Sequence, residues 1–233
     1  MNELQLIYNK LYSSFGPQGW WPLTVSGHKT LHHSGEPKND KHRFEIILGA
    51  ILTQNTSWKN VEKALYNLSK NNLIDLEKLK KIKKDKLAKL IRPSGYYNQK
   101  AERLKIMADF LLKNPVEKLK KLPIEELRKR LLDIKGIGPE TADSIILYAF
   151  QKPIFVIDAY TKRIYERLGF KEKTYDELQS IFLKFLKIKN NNKKTKIFNE
   201  YHALLVELGK NYCKKSPVCM ECPLNKLCKN NNI

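Results

Sequence analysis

Four cysteines, Cys213, Cys219, Cys222 and Cys228, stand near the end of the sequence in a C-x5-C-x2-C-x5-C pattern. Soft sulfur donors so close together suit zinc or an iron–sulfur cluster. A zinc ribbon normally offers two separated C-x2-C knuckles, whereas this pattern contains one. A second group lies at residues 132–142, where Gly136 and Gly138 permit positive φ and close backbone approach. Pro139 then starts a helix where its missing N–H is harmless. Such a turn offers helix N-terminal amides to a phosphate, with Lys135, Gly136, Gly138, Glu140 and Thr141 as the candidate contacts. The third group is Asp158, 20 residues beyond Gly138, which ends an apolar run and caps the pattern that follows.

Other reactive side chains read more plainly. His28, His32 and His33 fall in a long polar loop and are expected to be exposed rather than metal-bound. Glu140 and Asp143 sit on the phosphate-facing element, where structural or surface roles are expected. His202 lies on a largely apolar helix and should bond within the protein.

The elements that must hold these residues are helices. Apolar residues recur at helical spacing in Phe44, Ile47, Leu48, Ile51 and Leu52, and again in Val61, Ala64, Leu65 and Leu68 after a Ser57 cap. The same period continues in Ala101, Leu104, Ala108 and Leu111, then in Ile124, Leu127, Leu131 and Leu132. Helices are also expected over 139–150, 158–168, 174–187 and 197–212, with loops at 16–40, 151–157 and 189–196. No alternating strand pattern stands out, so the fold class is all-α.

The 233 residues carry 44 Lys and Arg against 24 Asp and Glu, a net charge of +20. That excess calls for a polyanion, nucleic acid first and an anionic membrane second. The longest internal apolar run, 46–52, is too short to span a bilayer. With no secretory signal in the first residues, a cytoplasmic protein is expected, nucleoid-associated in a prokaryote. Seven lysines between Lys78 and Lys89 read either as a solvated helix face or as a phosphate-facing surface.

Residues 132–142, the loop before Asp158 and the cysteine run together resemble the helix-hairpin-helix DNA glycosylases of the endonuclease III branch. Three further motifs, Trp20-Trp21-Pro22, residues 52–58 and residues 92–101, are similar to the 3-methyladenine DNA glycosylases within that branch. The resemblance implies two helical lobes: a six-helix barrel over 41–147, and a second lobe joining 1–40 to 148–233. It implies a [4Fe–4S] cluster on the four cysteines, with zinc as the minor alternative; the first cysteine gap is one residue shorter than usual in the family.

The resemblance also assigns roles. Asp158 would stabilise the sugar cation, Gln54 would fill the stack when the base leaves, and Trp20, Trp21 or Phe44 would stack on the base. Bifunctional members carry a lysine where this chain has Glu140, so a monofunctional enzyme is expected, acting as a monomer on double-stranded DNA with a damaged base. Two alternatives are a glycosylase for uracil, mismatched thymine or an oxidised base, and a non-catalytic DNA-structure binder.

Overall fold

The computed structural model describes residues 3–24, 30–31, 36–185 and 188–230. Within them the chain is helical: α1 (Glu3–Phe15), α2 (Asp40–Leu52), α3 (Trp58–Lys70), α4 (Leu76–Lys81), α5 (Lys84–Leu90) and α6 (Tyr97–Lys113). There follow α7 (Val116–Leu119), α8 (Ile124–Leu132), α9 (Pro139–Ser144), α10 (Ala159–Leu168), α11 (Tyr175–Phe185) and α12 (Asn191–Asn211). Helix α9 runs on as a π turn over Ile145–Ala149. The chain forms two compact units, Trp21–Gln151 and a unit joining Met1–Trp20 to Lys152–Ile233. The division thus falls at residues 20/21 and 151/152, not at 40/41 and 147/148.

In the Trp21–Gln151 unit, α2 is buried along its whole length from Phe44 to Leu52, as befits a helix apolar on every side. Val61, Ala64, Leu65 and Leu68 form the buried face of α3, and Ala101, Leu104, Ala108 and Leu111 lie on that of α6. Ser57 occupies the N-cap position of α3 but makes no side-chain cap bond. The stretch expected as a plain loop contains a short antiparallel pairing, β1 (Leu23–Thr24) with β2 (Thr30–Leu31). His28, His32 and His33 lie outside the described residues.

The other unit closes around aromatic rings. Phe155 stacks on Phe182 at 3.6 Å, and the Tyr165 and Tyr201 hydroxyls meet at 2.7 Å. The Tyr201 hydroxyl also donates to the Leu4 carbonyl, tying α12 to α1. The expected loop 189–196 is mostly helix. Asn190 caps α12 by accepting from the Lys193 amide, and Thr195 is buried, so the basic run forms the first turns. The connector before Asp158 has no regular secondary structure, and its Ile154, Phe155, Val156 and Ile157 are all buried.

Candidate functional site

The hairpin between α8 and α9 is clamped from both sides. Arg128 of α8 forms a two-pronged ion pair with the fully buried Asp143 of α9, at 2.8 and 3.2 Å. Gly136 turns at φ +86, and a Cβ there would come within 2.5 Å of Arg103 Nε, so any side chain would be strained and would have to push Arg103 aside. Gly138 takes the N-cap of α9, and a Cβ there would face open space. Lys135 is exposed and pairs with Glu102 at 3.0 Å, which holds the Glu102 carboxyl below its ordinary range. Lys84 and Arg103 also bear on Glu102, so one end of the lysine-rich stretch stands beside the hairpin.

Gln54 faces this turn. Its amide donates to the Gly136 carbonyl at 3.0 Å and to Thr141 Oγ1 at 2.9 Å, while its oxygen accepts from Arg103. Lys100 stabilises the base of the Gln54 segment: its buried ammonium donates to the carbonyls of Leu52 and Ser94, at 2.8 and 2.6 Å. Burial, with Arg103 nearby, lowers its pKa to about 8. Lys100 falls within the 92–101 motif, but nothing in the sequence marks its role or that of Arg103, although their spacing places both on one side of α6.

Asp158 caps α10 by accepting from the Thr161 amide at 2.7 Å. Its side chain is 13% exposed, and its other oxygen lies 3.7 Å from His202 Nε2. Burial opposes ionisation, but His202 and the Thr161 amide outweigh it and hold the carboxyl below its ordinary value. The His202 ring in turn meets Trp20 edge-on at 6.0 Å. A partly exposed indole, an imidazole and an ionised carboxylate therefore stand in a row within one unit.

The two adjacent tryptophans separate. Trp21 is 5% exposed, packs against Trp58 and Tyr148, and sits over Gly49. Those contacts make it a core residue of the Trp21–Gln151 unit. Phe44 is 6% exposed and lines a groove with Asp40, Ile74, Leu111, Pro115 and Val116.

All four cysteines line one small cavity, shared with Arg167 and Tyr212. Arg167 donates to Cys213 Sγ at 3.2 Å and to the carbonyls of Lys214 and Lys215. Burial pushes the Cys222 thiol up, and Cys213, Cys228 and Cys219 add to the rise, which places the four sulfurs within electrostatic reach of one another. Among the described residues, no three His, Cys, Asp or Glu side chains already stand in metal-binding geometry. The donor set nonetheless fits a thiolate-ligated cluster, with Arg167 supplying positive charge beside it.

A glycine hairpin feeding a helix, an aspartate cap after a buried connector, and a four-cysteine loop define the architecture of a helix-hairpin-helix DNA glycosylase. The chain belongs to the HhH-GPD superfamily of base excision DNA repair proteins, whose model matches residues 48–187. It is 44% identical over 228 residues, 95% of this chain and 94% of the other, to a Methanocaldococcus jannaschii protein provisionally named a DNA repair glycosylase. It is 32% identical to endonuclease III of Thermotoga maritima, over 82% of this chain and 86% of that one. Among solved structures it is similar to the H. pylori 3-methyladenine DNA glycosylase bound to 1,N6-ethenoadenine. That match has a TM-score of 0.72 and 33% identity, and covers 90% of this chain and 98% of that one. Within the described residues no helix is long and apolar enough to cross a membrane.

Proposed function

We propose that this DNA glycosylase excises alkylated purines such as 3-methyladenine from double-stranded DNA and leaves an intact abasic site. The observation that carries this reading is the row Trp20–His202–Asp158, which offers an aromatic face and an ionised carboxylate together. Both favour positive charge. An aromatic face attracts a cationic base more than a neutral one, by about 0.5–2 kcal/mol. N-alkylation makes a purine cationic and weakens its glycosidic bond, so selection matters more than strong acid catalysis. The likeness to the H. pylori enzyme supports the same substrate class.

The steps follow from the residues. The hairpin amides and Lys135 hold a phosphate, and the damaged base leaves the stack at a cost of a few kcal/mol. Gln54 exchanges its bonds to Gly136 and Thr141 for the vacated space. Asp158 stabilises the cation that grows on the sugar as the base departs, and orients the attacking water. The resemblance aligns Glu140 with the lysine of bifunctional members, and a carboxylate cannot form a Schiff base. Cys213, Cys219, Cys222 and Cys228 hold a [4Fe–4S] cluster whose contribution is structural, fixing the loop that carries Lys214 and Lys215. The enzyme acts as a monomer.

The test is base release from methylated DNA, compared with duplexes carrying single uracil, mismatched thymine, hypoxanthine or 8-oxoguanine. Alkylated purines should be released fastest, the strand should break only with alkali, and borohydride should trap no covalent complex. Preferential release of another lesion overturns the substrate class, and trapping overturns the monofunctional assignment.

A further inference from the structure

Helix α12 places two ionisable side chains beside the Trp20–Asp158 row: Glu200 and His202. Glu200 accepts from the Gln18 amide at 2.7 Å and also from the Gly19 amide. Burial pushes its carboxyl up while the two amides oppose that rise. A half-buried carboxylate is a costly way to secure a loop that is already tied by its own bonds. Gln18 Nε2 donates to the carbonyls of Phe15 and Gly16, at 3.1 and 3.2 Å, so the turn itself is held without Glu200. What Glu200 adds is the placement of the two residues before Trp20, and so of the indole.

His202 acts on the other end of the row. Trp20 meets its ring at 85°, and Phe155 meets it at 89° with centroids 6.4 Å apart. Two perpendicular rings fix the imidazole plane, which keeps Nε2 directed at Asp158 Oδ2. The Thr161 amide holds Asp158 Oδ1, and His202 Nε2 stands 3.7 Å from Oδ2, an ion-pair distance, so a contact bears on each carboxylate oxygen. Preorganisation of this kind is what an electrostatic stabiliser requires.

We infer that Glu200 and His202 are positioning residues with separable effects: Glu200 places the indole that selects the base, and His202 fixes the carboxylate that accelerates bond cleavage. The inference rests on the proposed reading of Trp20 and Asp158.

The experiment measures single-turnover excision from a duplex with one 7-methylguanine, separating the half-saturating enzyme concentration from the maximal rate. His202→Phe keeps a flat ring and removes the nitrogens. It should lower the maximal rate about tenfold or more while half-saturation changes less than about twofold. Glu200→Ala should raise half-saturation about tenfold over wild type on the same duplex, with the maximal rate within about threefold of wild type. Glu200→Gln still presents an amide oxygen to Gln18 and Gly19 and should recover most of that loss. Circular dichroism and thermal melting accompany each variant. Wild-type values for both Glu200→Ala and His202→Phe overturn the inference. So does a proportional loss of rate and half-saturation with a lowered melting temperature, which marks a folding effect. If the wild type leaves 7-methylguanine in place, the substrate reading fails. The variants are then measured on whichever lesion it does release, and the positioning roles are judged there by the same split.

Discussion

Replacing Asp158 with Asn tests the mechanism at its centre. Asn is as good an N-cap as Asp, and its side-chain oxygen can still accept from the Thr161 amide now bonded at 2.7 Å. Helix α10 should therefore keep its start, and the melting temperature should fall by only a few degrees. Asp158→Ala removes the cap as well and should cost about 1 kcal/mol more. What Asn loses is a charge shielded from solvent, since only 13% of the side chain is exposed. A full charge about 4 Å from a developing unit charge contributes about 4 kcal/mol at an effective dielectric near 20. Removing a preorganised group at such a site typically slows reaction about 10²- to 10³-fold, or about 2.7–4 kcal/mol, in agreement with the Coulomb figure. Single-turnover base release from methylated duplex measures the rate, and fluorescence anisotropy with the same duplex measures binding, which should change little. The pH profile adds a check of sign. Because the folded carboxyl lies below its ordinary value, its stabilising effect is present above the usual aspartate range and is lost as pH falls through the folded value. The stability gap between wild type and Asp158→Asn should accordingly close in acid. Excision at the wild-type rate by Asp158→Asn would refute the role given to this residue.

Three other outcomes are expected. With the Lys100 ammonium titrating near 8 rather than at 10.5, wild-type stability should rise between those values by up to about 3 kcal/mol, and urea melts of Lys100→Met should lack that slope. Gly136→Ala must place a Cβ at positive φ against Arg103, so it should lose about 1–3 kcal/mol and weaken duplex binding; unchanged melting and affinity would contradict the hairpin geometry. Protein purified without oxygen should be brown with about four irons, and Cys222→Ala should be colourless; one zinc in a colourless wild type would replace the cluster assignment.

The residues that follow local rules were readable from the chain alone. Asp158 as a cap, Gly136 and Gly138 at a turn, and the buried faces of α3 and α6 all depend on neighbours a few positions away. Helix α1 carries the same kind of signal in Leu4, Ile7 and Leu11, its buried face. The start of α12 was hidden because a lysine- and asparagine-rich run looks like a loop until Asn190 is seen to cap it. Long-range contacts left no trace in spacing. Arg103 meets Gln54 across 49 positions, and Glu200 meets Gln18 across 182, so neither role follows from periodicity. The two tryptophans look alike in sequence, and only the pocket formed by Gly49, Trp58 and Tyr148 assigns Trp21 to the core.

The bond from Tyr201 to the Leu4 carbonyl joins residues 197 positions apart. During synthesis, α1 leaves the ribosome well before α12, its packing partner, and has to wait for it to be translated. The unit Trp21–Gln151 is continuous in sequence and can condense during that interval, because its own contacts are available as soon as it emerges. Closing the remaining unit afterwards joins two segments whose separation the folded insert has already shortened, which lowers the loop entropy the closure would otherwise cost. The order of assembly is thus set by where the chain is interrupted: the hairpin can mature early, and the apolar face of α1 stays exposed until α12 has been made.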